Sequence, residues 1–185
     1  MFHKTLAALG LAVLATAMLH AQPVSAGDDA PSHLKNETLV VARIGDSNSF
    51  AAYSKHTGKW SIHIFADGIT AIPVLGQTLV AFQVSGDAVA ELVAVDQNGV
   101  WQTHKLPKIG TRTCTPIVAS DVAAFSIDGK AYGFSGLNGS WDSTAMLEPP
   151  QVAIDYAMVA SNDRISIFSA HTGSWADSPV LSIAK

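Results

Sequence analysis

Four histidines occupy two pairs of equivalent positions around a short phrase that recurs along the chain. His56 and His171 each precede a glycine by two residues, and His63 and His104 each follow a tryptophan by three. Imidazole is a common metal ligand, but a metal site needs three or four ligands at short range. Because one copy of the phrase lacks a histidine at both positions, neither set is complete. We therefore interpret all four as turn or surface side chains.

Two aspartates are the other candidates for chemistry. Asp121 and Asp155 stand at equivalent positions, each twenty residues before a tryptophan. If the units that contain them surround a common axis, carboxylates near that axis would gather where a cation can bind, since hard cations prefer oxygen ligands. Asp121 and Asp155 are thus the candidate ligands of a channel ion site. The sequence predicts no other metal site and no cofactor.

The motifs that mark common catalytic sites are absent from the sequence. It contains no HExxH, no Cys-His cluster, no phosphate-cradling glycine loop and no Ser-His-Asp arrangement in a recognisable context. We predict no catalytic residue, and this favours a protein that is not an enzyme without deciding the question.

The elements that must position these side chains are four copies of one phrase. The copies read SKHTGKW, VDQNGVW, SGLNGSW and SAHTGSW, and their tryptophans lie 41, 40 and 34 residues apart. A period near forty residues is typical of β-propeller blades. The structural repeat residues are Trp60, Trp101, Trp141 and Trp175 with the turn glycines Gly58, Gly99, Gly139 and Gly173.

Each phrase predicts a β-hairpin. The glycine can adopt the positive φ that a tight reversal needs. If the loop has four residues, Tyr53 lies opposite Trp60, and Phe134 and Phe168 lie opposite the third and fourth tryptophans. A glycine bulge would shift this pairing by one residue, and the sequence leaves both arrangements open.

Three architectures accommodate these units, all of them all-β and almost without helix. The first is a small four-bladed β-propeller, which the unit count favours. The second is a half-propeller that dimerises, and the third is a β-sandwich. A strand at 180–183 would close the ring in the first case, or form the outer strand of the last blade.

The ends of the chain divide it into three parts. Residues 1–26 have a basic start, an apolar run and small residues at 24–26, which predicts a signal peptide cleaved after Ala26 and a secreted or periplasmic protein. An uncleaved anchor is the alternative. We predict a linker at 27–37, a single domain at 38–185, and no membrane span after cleavage.

Charge and cysteine content restrict the partners. The net charge is −4 and the charges form no basic stripe, so nucleic acid is not an expected partner. Cys114 is the only cysteine, which excludes an intrachain disulfide, and its apolar surroundings favour a half-buried, inert thiol.

The third unit resembles a hemopexin-type blade. It begins Asp121-Val-Ala-Ala-Phe125, continues Gly129-Lys130-Ala-Tyr132 and ends at Trp141. The resemblance implies four blades. The Thr-Gly-Lys-Trp phrase is similar to the blade motif of quinoprotein-type propellers, and more faintly to the Asp-box of sialidases. Since fold alone does not carry function, these likenesses support the architecture.

Together these features predict an exported, non-enzymatic binding domain for a protein or a cell-envelope component, in which a homodimer remains an alternative. The rival hypothesis is a carbohydrate-binding, glycan-acting or quinoprotein-like propeller that uses the face of the ring.

Overall fold

The computed structural model describes residues 33–107, 112–161 and 164–179. Within these ranges the regular elements are all β-strands, arranged in four antiparallel sheets that follow one another along the chain. The predicted all-β fold class is confirmed, and each repeat unit forms one sheet. The predicted signal peptide, the turn at 162–163 and the strand at 180–183 lie outside the described residues.

The first sheet begins earlier than the sequence suggested. Its first strand lies inside the segment predicted to be a linker, and Leu34 pairs with Val41 of the second strand. Three residues are too few to show a period-two pattern, which is why the sequence did not reveal this strand. The strands of the sheet are β1 (His33–Lys35), β2 (Leu39–Arg43), β3 (Ser49–Ser54) and β4 (Lys59–Ile64).

The second sheet has one extra strand. Its strands are β5 (Thr70–Leu75), β6 (Val80–Gly86), β7 (Glu91–Val95), β8 (Trp101–Lys105) and β9 (Arg112–Cys114). The pairing of β7 with β6 is limited to the start of β6, at Val80 and Ala81. The end of β6, at Val84–Gly86, pairs with β9 instead. The turn that follows Gly86 directs the chain away from β6, so the last residues of β6 are free to pair with β9.

The third and fourth sheets are simple four-stranded meanders. The third contains β10 (Pro116–Val118), β11 (Val122–Ile127), β12 (Lys130–Ser135) and β13 (Trp141–Ala145). The fourth contains β14 (Gln151–Val152), β15 (Tyr156–Ala160), β16 (Ile165–Ser169) and β17 (Ser174–Asp177). The described ranges hold no helix with the length and apolar character needed to cross a bilayer.

The predicted hairpin register is confirmed in three of the four units. Tyr53 pairs with Trp60, Phe134 with Trp141, and Phe168 with Trp175. All four turn glycines have positive φ, between +64° and +77°. In the second unit, however, Trp101 pairs with Val95. There the Gly99 amide bonds to the carbonyl three residues back, whereas the other three turn glycines bond four residues back, so this turn is one residue tighter.

Candidate functional site

Each sheet has two faces that differ in chemistry. Side chains alternate between the faces along a strand, and directly paired residues share a face. We call the face that carries the repeat tryptophan the Trp face and the other the opposite face. At the first junction, Trp101 and Phe82 on the Trp face of the second sheet contact the opposite face of the first sheet. Trp101 stacks on His63 with ring centroids 5.1 Å apart, and Phe82 lies 5.1 Å from Phe50 and 5.3 Å from Phe65.

The next junction follows the same rule. Trp141 and Tyr132, on the Trp face of the third sheet, lie 6.0 Å and 5.0 Å from His104 of the second sheet. Because each Trp face is covered by the sheet before it, Trp101 and Trp141 are half-buried.

The third junction brings the fourth sheet onto the third. The Trp175 indole N–H donates to the Asp142 carbonyl at 3.2 Å. A Cβ placed on Gly133 would lie 2.6 Å from the Phe168 ring, so the absent side chain of Gly133 makes room for that phenyl group.

Hydrogen bonds between the hairpin turns support each junction. In the third unit, the Ser135 hydroxyl donates to the Ala170 carbonyl of the fourth at 2.5 Å, and the Ser140 hydroxyl donates to the Gly173 carbonyl at 3.2 Å. In the first unit, the Ser54 hydroxyl donates to the Gln97 carbonyl of the second at 2.8 Å. Each turn thus supplies side-chain donors to the carbonyls of the next turn.

The turn glycines are also points of close approach. A Cβ on Gly99 would lie 2.9 Å from the Cβ of Ser54 in the preceding unit, and one on Gly139 would overlap the carboxylate of Asp96. The Asp96 side chain is buried and accepts hydrogen bonds from the Asn98 and Val100 amides. A side chain at these positions would therefore push successive turns apart.

Among the residues that the structure describes, no sheet precedes the first one to cover its Trp face. The side chains towards the outer strand of this face are mostly aromatic or aliphatic, and the three on the outer strand are exposed; the register also places His33 and Lys35 of β1 and Ser49 of β3 on this face. Trp60 is 60% exposed, Ile62 61% and Ile64 72%. The Trp face of the first sheet consists of His33, Lys35, Val40, Ala42, Ser49, Ala51, Tyr53, Trp60, Ile62 and Ile64. This surface is the candidate functional site.

Its centre is an aromatic pair with an open side. The Tyr53 and Trp60 rings lie 5.2 Å apart at an interplanar angle of 48°. Tyr53 is partly covered by the sheet, whereas the indole is the projecting member. Contiguous exposed apolar side chains on a folded domain mark a surface that contacts something else.

The sequence did not distinguish Trp60 from the other three tryptophans. The four indoles have equivalent positions in their hairpins but not equivalent surroundings. A neighbouring sheet covers each of the other three, whereas no described sheet covers Trp60. The only sequence signal was the alternation of the apolar Trp60, Ile62 and Ile64 with polar residues. Alternating apolar residues on an edge strand are unusual unless that face is covered.

The histidines are placed differently from what the sequence suggested. His63 and His104 are not surface side chains: each packs on the tryptophan of the next sheet, at 5.1 Å and 6.0 Å. His56 is exposed in the first turn, as expected. The exposed His171 lies in the fourth turn with Nε2 3.9 Å from the Asp155 carboxylate.

The packing of His63 predicts a pH-dependent stability. Burial lowers the pKa of His63, and Glu91, whose carboxylate lies 3.9 Å from Nε2, only partly opposes this. At acid pH the unfolded chain therefore binds a proton at His63 more tightly than the folded protein does. The contribution of the uncharged His63 to the free energy of unfolding is fully present above the ordinary histidine pKa of about 6.5, and it falls as the pH drops through that value. Urea denaturation should show a lower free energy of unfolding near pH 5.5 than near pH 7.5.

The variant His63→Phe keeps an aromatic ring on Trp101 and removes the titrating group. We expect its free energy of unfolding to decline less steeply with acidification. Since burial also lowers the pKa of His104, the double variant with His104→Phe should decline least. If the free energy of unfolding of His63→Phe declined with acidification as steeply as that of the wild type, this explanation would be contradicted.

The candidate ion ligands have protein partners. The Asp121 carboxylate accepts a hydrogen bond from the Thr78 hydroxyl at 2.8 Å, and the Asp155 carboxylate lies near His171. Their carbonyls accept equivalent bonds from Gly136 and Ala170. In the described ranges no three His, Cys, Asp or Glu side chains are grouped to hold a metal. The channel ion site therefore remains a prediction.

Two interior features complete the description. Cys114 is fully buried, more so than expected, and burial raises the pKa of its thiol. A cavity of about 50 Å³ is lined by Phe65, Ile69, Val84 and Val89 among others. Small-molecule sites usually measure roughly 300–1,000 Å³, so this cavity is too small for a cofactor or a sugar.

Comparison with protein-family models gives no match, and comparison with curated proteins gives none either. The resemblances to hemopexin, quinoprotein and sialidase blades remain predictions. We therefore infer a function from the exposed Trp face of the first sheet.

Proposed function

We propose that this protein is an exported, non-enzymatic binding domain, and that the Trp face of its first sheet is the binding surface. The partner is a protein or a cell-envelope component. The single observation that carries the proposal is the exposure of Trp60, Ile62 and Ile64 side by side on one strand.

The chemistry of this surface suits binding. Tryptophan and tyrosine are enriched among the residues that dominate protein–protein binding energy, because they bury a large area at low entropic cost. The exposed side chains Trp60, Ile62 and Ile64 provide apolar area and contain no nucleophile or acid–base group. The outer strand of this face can therefore exclude water with a partner, whereas the titratable His33 and Lys35 lie on β1, at the other side of the sheet.

The geometry of the first sheet also suits binding. The Trp faces of the other three sheets are each covered by a neighbouring sheet. The first sheet presents the same kind of face, on a rigid four-stranded scaffold, without a neighbour. Binding a partner there would follow the packing that already joins the sheets.

The proposal predicts that capture of a partner depends on this face. The protein, carrying an affinity tag, is incubated with envelope fractions of its host, and we expect a retained component that Ile62→Lys releases. Burying an unpaired ammonium in an apolar interface is strongly unfavourable. The control is Val100→Lys, since Val100 is 48% exposed but lies in the second turn.

Equal retention by wild type and Ile62→Lys would contradict the proposal. A glycan array distinguishes the rival function. Retention of sugars by the wild type, lost in Trp60→Ala, would replace the protein partner by a carbohydrate that stacks on the indole.

A further inference from the structure

The exposed Trp face of the first sheet has a matching surface at the other end of the chain. On the fourth sheet, the opposite face is uncovered as well. Tyr156 is 42% exposed and Ile167 43% exposed, and the register places Ile167 between Met158 and Ala176 on that face. The opposite face of the fourth sheet consists of Gln151, Tyr156, Met158, Ala160, Ile165, Ile167, Ser169, Ser174 and Ala176.

We propose that these two surfaces bind each other between two copies of this chain. The Trp face of the first sheet in one copy packs on the opposite face of the fourth sheet in the other. This inference rests on the proposed function, because it names the partner of the same surface.

The strongest support is continuity with the existing junctions. At all three junctions within the chain, a Trp face packs on an opposite face. One Trp face and one opposite face are left over, on the first and fourth sheets. A second copy supplies to each of them the kind of surface that every inner sheet already has. The exposure of Trp60 shows that its own fourth sheet does not cover it.

The turns at the two ends are matched too. The first, third and fourth turns share one conformation, with the glycine amide bonded to the carbonyl four residues back. The junction between the third and fourth units is therefore the template. There, Ser135 and Ser140 donate to the carbonyls of Ala170 and Gly173.

The equivalent donors on the fourth turn are Ser169 and Ser174, and the equivalent acceptors on the first turn are the carbonyls of Lys55 and Gly58. Across the described part of the chain, no donor reaches those two carbonyls. A second copy would place both serine hydroxyls against them.

Charge favours the same pairing. From His33 to Ile64 the first sheet carries Lys35, Arg43, Lys55 and Lys59 against two acids. From Gln151 to Asp177 the fourth sheet carries three aspartates against one arginine. The register places Lys35 on the Trp face of the first sheet but Arg43 and Lys59 on its opposite face, and Asp177 on the Trp face of the fourth sheet. The opposite net charges therefore belong to the two ends of the chain as a whole, and they favour the encounter of unlike ends over pairing of like with like.

The pairing is head-to-tail. In a two-fold dimer of this kind both ends of each copy are used, so two equivalent junctions form and eight sheets close into one ring. A ring of this size corresponds to the dimerising half-propeller that the repeats allowed.

Sedimentation equilibrium of the protein expressed from the full chain tests the proposal. The wild type should have twice the chain mass at micromolar concentration. Ile62→Lys and Ile167→Lys should each have the mass of one chain, with association at least about 100-fold weaker because each buries a lysine at both junctions. The matched control, Val100→Lys, should remain a dimer.

Mixing the two variants gives the sharpest result. Ile62→Lys retains an intact fourth sheet and Ile167→Lys an intact first sheet. An equimolar mixture should therefore form dimers through one junction and nothing larger, because the remaining ends are both blocked. It should dissociate at higher concentration than the wild type, which has two junctions.

Three results would overturn the inference: a single-chain mass for the wild type, a dimer of Ile167→Lys alone, which would mean that first sheets pair with each other, or a mixture that does not associate. Failure of this inference is distinct from failure of the proposed function. A monomeric wild type whose envelope capture depends on Ile62 would keep the binding surface and change only its occupant.

Discussion

Replacing Trp141 by alanine should lower the free energy of unfolding by about 3 kcal/mol, whereas Trp60→Ala should change it by less than about 0.5 kcal/mol. Trp141 lies 4.8 Å from Phe134, 5.7 Å from Phe125 and 6.0 Å from His104, between two sheets. Its removal leaves a cavity at that junction. Trp60 contacts Tyr53 and is 60% exposed.

The expected loss at Trp141 is at the low end for buried tryptophans because its indole N–H is buried without a partner in the described structure. That cost disappears with the side chain and offsets part of the lost packing. Urea or guanidinium denaturation measures both variants. Equal losses would mean that the two indoles have the same surroundings.

The comparison needs protein concentrations at which the chain is monomeric. Association through the first sheet would add a concentration-dependent stabilisation that Trp60→Ala removes. Measuring each variant at two concentrations separates this contribution from the stability of the single chain.

Alanine at Gly139 should lower the free energy of unfolding by about 3 kcal/mol, and alanine at Gly58 by about 1 kcal/mol. Both glycines have the left-handed conformation, with φ of +68° and +66°, so the backbone cost is shared. At Gly139 the new methyl group would also overlap the buried carboxylate of Asp96. At Gly58 the nearest atom is the Tyr53 hydroxyl at 3.9 Å.

The difference of about 2 kcal/mol between the two variants therefore measures the close approach of successive turns rather than backbone strain. Thermal or chemical denaturation of both proteins provides it, under the same monomeric conditions. If Gly58→Ala were as destabilising as Gly139→Ala, Gly58 itself would have to be in close contact with another unit, as Gly139 is with Asp96.

Local features of the fold were predictable from the residues. The glycine before each tryptophan requires a positive φ, and the loop length places Tyr53 opposite Trp60, as the structure confirms. Both follow from interactions within a few residues. The strands β1 and β9 were missed because each has three residues and is defined by its pairing partner.

The candidate site was only partly predictable. Trp60 was identified as a structural residue of the repeat, and its exposure was not foreseen. His63 and His104 were interpreted as surface side chains, but the packing of the next sheet covers them. In both cases the environment depends on a unit about forty residues away, which no local pattern describes.

The phrases SKHTGKW and SAHTGSW show most clearly which features the sequence determined and which depend on the tertiary structure. By itself the sequence determined four similar hairpins with turn glycines of positive φ and limited their pairing to two registers one residue apart, because these depend on backbone geometry and on neighbours in the chain. It could not determine that Trp60 is exposed while Trp175 is half-buried. Burial depends on what packs against a face, and only the tertiary structure shows that no sheet in the described ranges covers the Trp face of the first sheet.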